Sequence, residues 1–75
     1  MQTIKDMNQL ASALRARRRE LGVTQKEVAM AAGTGLRFII DLEKGKATCQ
    51  IEKTIQVVQT LGLNIILEPL GGDEQ

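Results

Sequence analysis

Basic side chains are concentrated in the middle of this 75-residue chain. Residues 15–46 carry eight lysines and arginines against four acidic residues, which gives this segment a net charge of +4. Residues 47–75 carry one lysine against four acids, a net charge of −3, so the overall charge of +1 hides a strong asymmetry. The run RARRR on its own is also consistent with a solvated helix face. A basic segment followed by an acidic one nevertheless favours a face that binds a polyanion.

The same composition argues against catalysis and metal binding. The chain has no histidine, no tyrosine and a single cysteine, Cys49, so we can propose neither a nucleophile–base pair nor a metal site. We interpret Cys49 as a small packing residue and not as a redox switch. A free thiol, an N-terminus without an apolar leader and the lack of a stretch of about 18 apolar residues favour the cytoplasm over a membrane. We therefore expect a non-enzymatic cytoplasmic protein with no cofactor and no metal.

Four short helices and one strand must position the basic side chains. Capping residues, glycines and apolar side chains at helical spacing predict the helices. The predicted elements are helix one (residues 7–21), helix two (24–32), helix three (35–44), helix four (49–61), a strand (63–67) and a flexible tail (70–75). The sequence thus predicts a single all-α domain over residues 1–75, with one short C-terminal β-strand.

Caps and buried faces are also predicted. We expect Thr34 to cap helix three and Thr48 to cap helix four. Leu21 should lie on the buried face of helix one. The expected buried stripe of helix four is Ile51, Ile55, Val58 and Leu61.

Helix two, a tight turn at residues 32–34 and helix three have the proportions of a helix-turn-helix. Small Ala29 allows the two helices to approach closely, Gly33 permits a left-handed backbone in the turn, and Ile39 fills the angle between them. A generic helical hairpin has the same outline, so the spacing alone leaves both interpretations open.

The segment LGVTQKEVAMAAGTGLRFIIDLEKGK resembles the helix-turn-helix of the lambdoid phage repressors and of the wider Xre-type regulators. Their pattern runs Leu-Gly-x-Thr-Gln-x-x-x-Ala-x-x-x-Gly and continues into a helix that ends Leu-Glu-x-Gly-Lys. The matching residues are Leu21, Gly22, Thr24, Gln25, Ala29, Gly33, Ile39, Leu42, Glu43, Gly45 and Lys46. With helix four, the resemblance covers about residues 7–62. It implies a lambda-repressor-like domain in which helix three is the DNA recognition helix.

A narrower resemblance, to the HipB-type antitoxins, rests on GLRFIIDLEKGKATCQIEKTIQVVQTLGLNIIL, where an apolar strand follows the same domain. Members of that family repress their own operon as dimers and bind a HipA-like kinase toxin encoded beside them. The resemblance implies the antitoxin of a type II toxin–antitoxin operon, with operator DNA, a second copy and a HipA-like kinase as partners. Two alternatives stay open: a stand-alone Xre-family regulator without a toxin, or a toxin-binding module with weak DNA affinity.

The phage-repressor pattern implies DNA-binding roles in three places: the start of helix two, the outer face of helix three and the loop after it. These residues are Gln25, Lys26, Gly35, Leu36, Arg37, Ile40, Asp41, Lys44 and Lys46. Gln25 matches a residue that bonds a DNA phosphate, and the start of a helix suits an anion independently of any family. Lys44 and Lys46 match loop residues that meet phosphate.

Helix three departs from the pattern where bases are read. Phage repressors place polar residues where this chain has Gly35, Leu36 and Ile40, whose side chains offer no hydrogen bond to a base edge. Arg37 is then the one strong candidate for base reading, with guanine as its expected target. A phosphate contact or a salt bridge with Asp41 at i+4 stays open for Arg37. We expect DNA shape and half-site spacing to supply part of the specificity.

Arg18 is expected to serve the fold and not the DNA. The phage-repressor pattern pairs the arginine four residues before the Leu-Gly glycine with the recognition-helix glutamate, and here these are Arg18 and Glu43. Arg15, Arg17 and Arg19 are expected to be freer, so that Arg17 or Arg19 is available to a phosphate.

The predicted strand LNIIL has no convincing partner within the chain, and its apolar side chains lie on both faces. We expect it to pair antiparallel with its own copy in a second chain. The dimerisation residues are Leu63, Asn64, Ile65, Ile66 and Leu67. A two-fold axis there would set two recognition helices about one DNA turn, roughly 34 Å, apart.

Overall fold

The computed structural model describes residues 2–71 and folds them into four α-helices. They are α1 (Met7–Leu21), α2 (Gln25–Ala32), α3 (Leu36–Glu43) and α4 (Ile51–Thr60). The predicted all-α class with a helix-turn-helix is confirmed. Between residues 2 and 71 no strand forms, and residues 63–69 continue after α4 as chain that is neither helix nor strand. Of the predicted tail, residues 72–75 lie outside the described residues.

Polar caps and left-handed glycines set the limits of the first two helices. Asp6 accepts a hydrogen bond from the backbone N–H of Gln9 at the start of α1. Thr24 and Glu27 form a reciprocal capping box at the start of α2, with bonds of 2.8 and 3.0 Å. Gly33 ends α2 at φ +73°, where a side chain would be strained, so the chain can turn directly into α3.

The caps of the last two helices differ from the prediction. Gly35, and not Thr34, is the N-cap of α3, because the Thr34 hydroxyl points to the Gly35 carbonyl at 3.4 Å. Gln50 precedes α4 in place of the predicted Thr48, which lies in a turn instead. Neither α3 nor α4 has a side-chain cap, and α4 begins at Ile51.

The core consists of aliphatic side chains from all four helices. Its buried members are Leu14, Val28, Ala29, Ile39, Leu42, Val57, Val58 and Leu61. Ile39 and Leu42 are 1% and 0% exposed, so the inner face of α3 anchors this helix to the domain. Burying each large aliphatic side chain stabilises the fold by roughly 1.5–3 kcal/mol.

Helix α4 is turned relative to the predicted orientation. Its inward residues, with the C-cap, are Thr54, Val57, Val58 and Leu61. Ile51 and Ile55, both predicted to be buried, are 69% and 36% exposed. Thr54 is tolerated inside because its hydroxyl donates to the Gln50 carbonyl at 2.9 Å. Leu21 was also predicted to be buried, but it lies 45% exposed at the end of α1.

None of these helices, over the described part of the chain, has the length and apolar character needed to cross a membrane.

Candidate nucleic-acid interface

Helix α3 carries two adjacent stripes on its outer side. Its inner side is occupied by core residues, so the outer side faces away from the domain. Leu36 and Ile40, spaced i and i+4, form an apolar stripe, and Arg37 and Asp41 form a charged stripe beside it. Leu36 and Arg37 are exposed, whereas Ile40 and Asp41 are half-buried. The structure therefore brings the predicted residues of α3 onto one surface.

Asp41 forms ion pairs with two of the cationic side chains on this surface. One carboxylate oxygen lies 3.7 Å from Arg37 Nε, and the other lies 3.5 Å from Lys46 Nζ. The backbone carbonyl of Asp41 also accepts hydrogen bonds from the N–H groups of Lys44 and Lys46, each at 3.1 Å. Exposed ion pairs of this kind contribute at most about 1 kcal/mol, so Arg37, 77% exposed, can leave Asp41 for another acceptor at little cost.

The turn after α3 is supported from below by α1. Gly45, between the two lysines, has φ +81°, and a Cβ built on it would lie 2.6 Å from Asn8 Oδ1. A side chain at position 45 would therefore be strained and would also displace Asn8. This close approach fixes the turn that holds Lys44 and Lys46.

At the start of α2, the side chain of Gln25 has a partner within the fold. Its side-chain amide donates to Glu43 Oε1 at 3.1 Å, in a half-buried position. The first N–H groups of a helix have no acceptor within the helix, which leaves the backbone at Gln25 and Lys26 able to bind an anion. Lys26 is exposed beside it.

A buried ion pair ties α1 to α3. Arg18 Nε and Nη2 donate to the two oxygens of Glu43 at 2.7 and 3.1 Å, in the pairing expected from the sequence. Arg18 also donates to the Val23 carbonyl at 3.0 Å. Glu43 is 5% exposed, and its hydrogen bond raises the pKa of Arg18 above the ordinary value, although burial of Arg18 acts in the opposite direction. This pair holds α3 at a fixed depth in the domain.

The other arginines of RARRR are used differently from the prediction. Arg15 donates to the backbone carbonyl of Glu43, at the end of α3. Arg17 donates to the backbone carbonyl of Leu61, after α4, at 2.9 Å, and forms an exposed ion pair with Glu20. Both are therefore engaged within the fold, while Arg19 is exposed. The outward positive charge comes mainly from residues at or beyond α2.

Cys49 is half-buried next to the core. Burial raises the pKa of its thiol, and the nearby Asp41 carboxylate raises that pKa further, so the thiol stays protonated at neutral pH. Among residues 2–71, no group of acidic or cysteine side chains could hold a metal ion.

The chain is similar to known regulators over most of its length. Residues 11–67 match the family described as "Helix-turn-helix domain". A protein of Sinorhizobium fredii, named "Uncharacterized HTH-type transcriptional regulator y4mF", is 51% identical over 67 residues, which cover 88% of each chain.

Solved structures extend this likeness to the three-dimensional fold. A chain in the structure called "HipB-O4 20mer complex" superposes with a TM-score of 0.86 at 27% identity, over 93% of this chain and 99% of that one. A chain in the "Structure of HipA-HipB-O2-O3 complex" gives the same values. The similarity therefore includes the helices that flank the helix-turn-helix.

Proposed function

The chain belongs to the helix-turn-helix family of transcriptional regulators, and from this premise we propose that it represses its own operon as a dimer and neutralises a HipA-like kinase toxin. This family consists of DNA-binding regulators and not of enzymes. The observation that carries the proposal is the likeness to HipB along nearly the whole chain, in structures named for complexes with a 20mer and with HipA.

The charge on the outer side of α2 and α3 supports duplex DNA as the ligand. Lys26, Arg37, Lys44 and Lys46 are all exposed there. The acidic residues of α3 are Asp41 and Glu43, and because Glu43 is buried, Asp41 alone opposes these cations on the outer face of this helix. Such a surface neutralises phosphates and releases their counterions, a contribution that weakens with salt.

We assign the contacts by reach and chemistry. Arg37 reads a guanine in the major groove, because it stands on the leading turn of α3 and its guanidinium is 77% exposed. Lys44, Lys46 and the backbone at Gln25 and Lys26 bind phosphates, which position the helix without reading sequence.

A second copy of the chain is the proposed cover for the apolar C-terminal surface. The exposed large apolar residues of α4 and of the segment that follows it are Ile51, Ile55, Ile65, Ile66, Leu67 and Leu70. Residues 63–69 pass beyond α4 without a strand partner, and only Leu63 at their start is tied back, by its N–H to the Val58 carbonyl at 3.1 Å. A segment whose backbone groups lack strand partners is a template for pairing with another chain. We propose that residues 63–67 pair antiparallel across a two-fold axis, with Ile51 and Ile55 packed beneath them. Leu63 packs against the core of its own chain and so connects this segment to the domain.

DNA binding can be tested by fluorescence anisotropy with two duplexes. One carries the sequence upstream of the chain's own reading frame, and the other is a scrambled duplex of equal length and composition. We expect the first to bind more tightly at every salt concentration, with affinities for both that fall steeply as salt rises. Equal affinity for the two duplexes would rule out an operator in that region.

The antitoxin role requires a separate test. We expect a kinase-like reading frame beside the gene, and its product should co-purify with this chain when the two are co-expressed. Without such a neighbour, or without a complex, the chain is a stand-alone Xre-type regulator. A stable complex combined with weak and unselective DNA binding would identify a toxin-binding module instead.

A further inference from the structure

Two aliphatic side chains on the outer face of α3 lie outside the hydrophobic core. Leu36 is 42% exposed at the first position of the helix, and Ile40 lies one turn on. Neither side chain belongs to the core of residues 2–71 or to the partly buried apolar groups that pack against it. Two apolar residues on the outward side of a short helix suggest that this side contacts a ligand.

Charged side chains lie along one side of this apolar stripe. Arg37 lies between Leu36 and Ile40 in sequence, and its guanidinium is held 3.7 Å from Asp41 on the adjacent stripe. Lys44 lies exposed one turn beyond Ile40. An apolar stripe flanked by exposed cations is suited to an anionic ligand that itself displays an apolar group.

We propose that Leu36 and Ile40 bind the 5-methyl group of a thymine in the major groove, at a base pair next to the guanine that Arg37 reads. This inference rests on the proposed function as a DNA-binding protein. The methyl group of thymine is the apolar group that the bases present in the major groove. Guanine, adenine and cytosine present hydrogen-bond donors or acceptors there without a methyl group, and these polar groups would lose their hydrogen bonds to water against leucine or isoleucine without gaining a partner. Thymine alone places a methyl group beside its O4 acceptor. The apolar stripe therefore favours thymine over the other three bases at this position.

The test removes single methyl groups from the DNA. The wild-type chain first selects its preferred duplex from a random-sequence pool, and each thymine of that duplex is then replaced in turn by deoxyuridine. We expect one replacement in each half-site to weaken binding by about threefold to fivefold, the effect of one buried methyl group. The other thymine replacements should leave the affinity unchanged.

Protein variants identify the side chains that bind the methyl group. Leu36→Ala should weaken binding to the thymine duplex and should lose the response to deoxyuridine, and Ile40→Ala should reduce that response. Met30→Ala is the matched control, since Met30 is a 74% exposed apolar residue on α2, and this variant should respond as the wild type does.

Two results would overturn the inference: thymine replacements that are all neutral in the wild type, or a full response retained in both Leu36→Ala and Ile40→Ala. Failure of the underlying function is recognised differently, because the pool would then yield no enriched sequence at all, and the inference would fall with it.

Discussion

Glu43 is the point at which three helices are joined. Its carboxylate accepts hydrogen bonds from Arg18 of α1 and Gln25 of α2, and its backbone carbonyl accepts one from Arg15. Removing a carboxylate from water is costly, and these donors offset that cost in place of solvent. The orientation of α3 relative to α1 and α2 therefore depends on this side chain.

We predict that Glu43→Ala lowers the free energy of unfolding by about 3 kcal/mol, because Arg18 would keep its buried position without its partner. The measurement is urea denaturation. Because the pairing raises the pKa of Arg18, the contribution of the charged guanidinium is complete at neutral pH and is lost as strong alkali deprotonates the arginine.

Glu20→Ala is the matched control for Glu43→Ala. Glu20 forms an ion pair of 3.3 Å with Arg17, but its side chain is 68% exposed. Its removal should cost less than about 1 kcal/mol. Similar losses in the two variants would mean that burial adds nothing to the Arg18–Glu43 pair.

For DNA recognition, we predict that Arg37 contributes both affinity and sequence preference. Arg37→Ala should weaken binding to the preferred duplex by about 1–3 kcal/mol and relax the preference at one base pair in each half-site. The measurement is anisotropy with a set of duplexes that vary one base pair at a time. A loss of the same size on a scrambled duplex would show that Arg37 contacts only phosphate.

At the scale of helices, the sequence was informative where short-range contacts decide the outcome. Asp6 and Thr24 cap helices through hydrogen bonds to residues three positions away, and the pattern of such caps can be read in the sequence. The orientation of α4 could not be read in this way. A stripe through Ile51, Ile55 and Val58 has the same helical spacing as the buried stripe. Thr54 can be buried because its hydroxyl donates to a backbone carbonyl, and the spacing of apolar residues does not indicate such a bond.

The arginines of α1 illustrate the same limit for the candidate site. Arg15 and Arg17 bond carbonyls that lie 28 and 44 residues further along the chain. Composition marked both as part of a basic surface, because charge counts do not show which side chains turn inward. The resemblance to phage repressors was more specific, since it assigned Arg18 to Glu43 from matching positions.

Arg17 ties α1 to the end of α4, and we predict that this contact contributes to stability. Arg17→Ala should lower the free energy of unfolding by about 1 kcal/mol, because the Leu61 carbonyl loses a charged donor. Arg19→Ala, an exposed arginine on the same helix, should change it by less than about 0.5 kcal/mol. Thermal unfolding of both variants is the measurement, and a larger loss for Arg19→Ala would contradict this account.

For the whole molecule, the exposed apolar side chains after α4 support the proposed pairing of two copies. We predict that truncation after Asn64 gives a monomer in sedimentation velocity and abolishes tight operator binding. This truncation keeps Leu63, which packs against the core, and removes the exposed side chains of Ile65, Ile66, Leu67 and Leu70. Each buried aliphatic side chain contributes roughly 1.5 kcal/mol or more, so losing several should separate the copies.

Ile51→Lys in the full-length chain tests the other half of the same surface. Position 51 is 69% exposed, so the substitution should leave the monomer folded while placing a charge in the proposed dimer contact. We expect a weaker dimer. If the truncated chain and this variant both sediment as dimers, residues 63–67 have another role, and a toxin subunit becomes the better candidate for their partner.

The inner and outer faces of α3 share no residue: Ile39, Leu42 and Glu43 hold the helix, while Leu36 and Arg37 project from it. If the outer face reads DNA as proposed, mutations that alter operator preference are almost neutral for folding, and after gene duplication two copies can diverge towards separate regulatory circuits. The proposed dimer surface, on α4 and residues 63–70, would not diverge with them. The two duplicated proteins would consequently form mixed dimers that bind hybrid operators. Only substitutions on the dimer surface would stop this mixing and separate the two regulatory circuits.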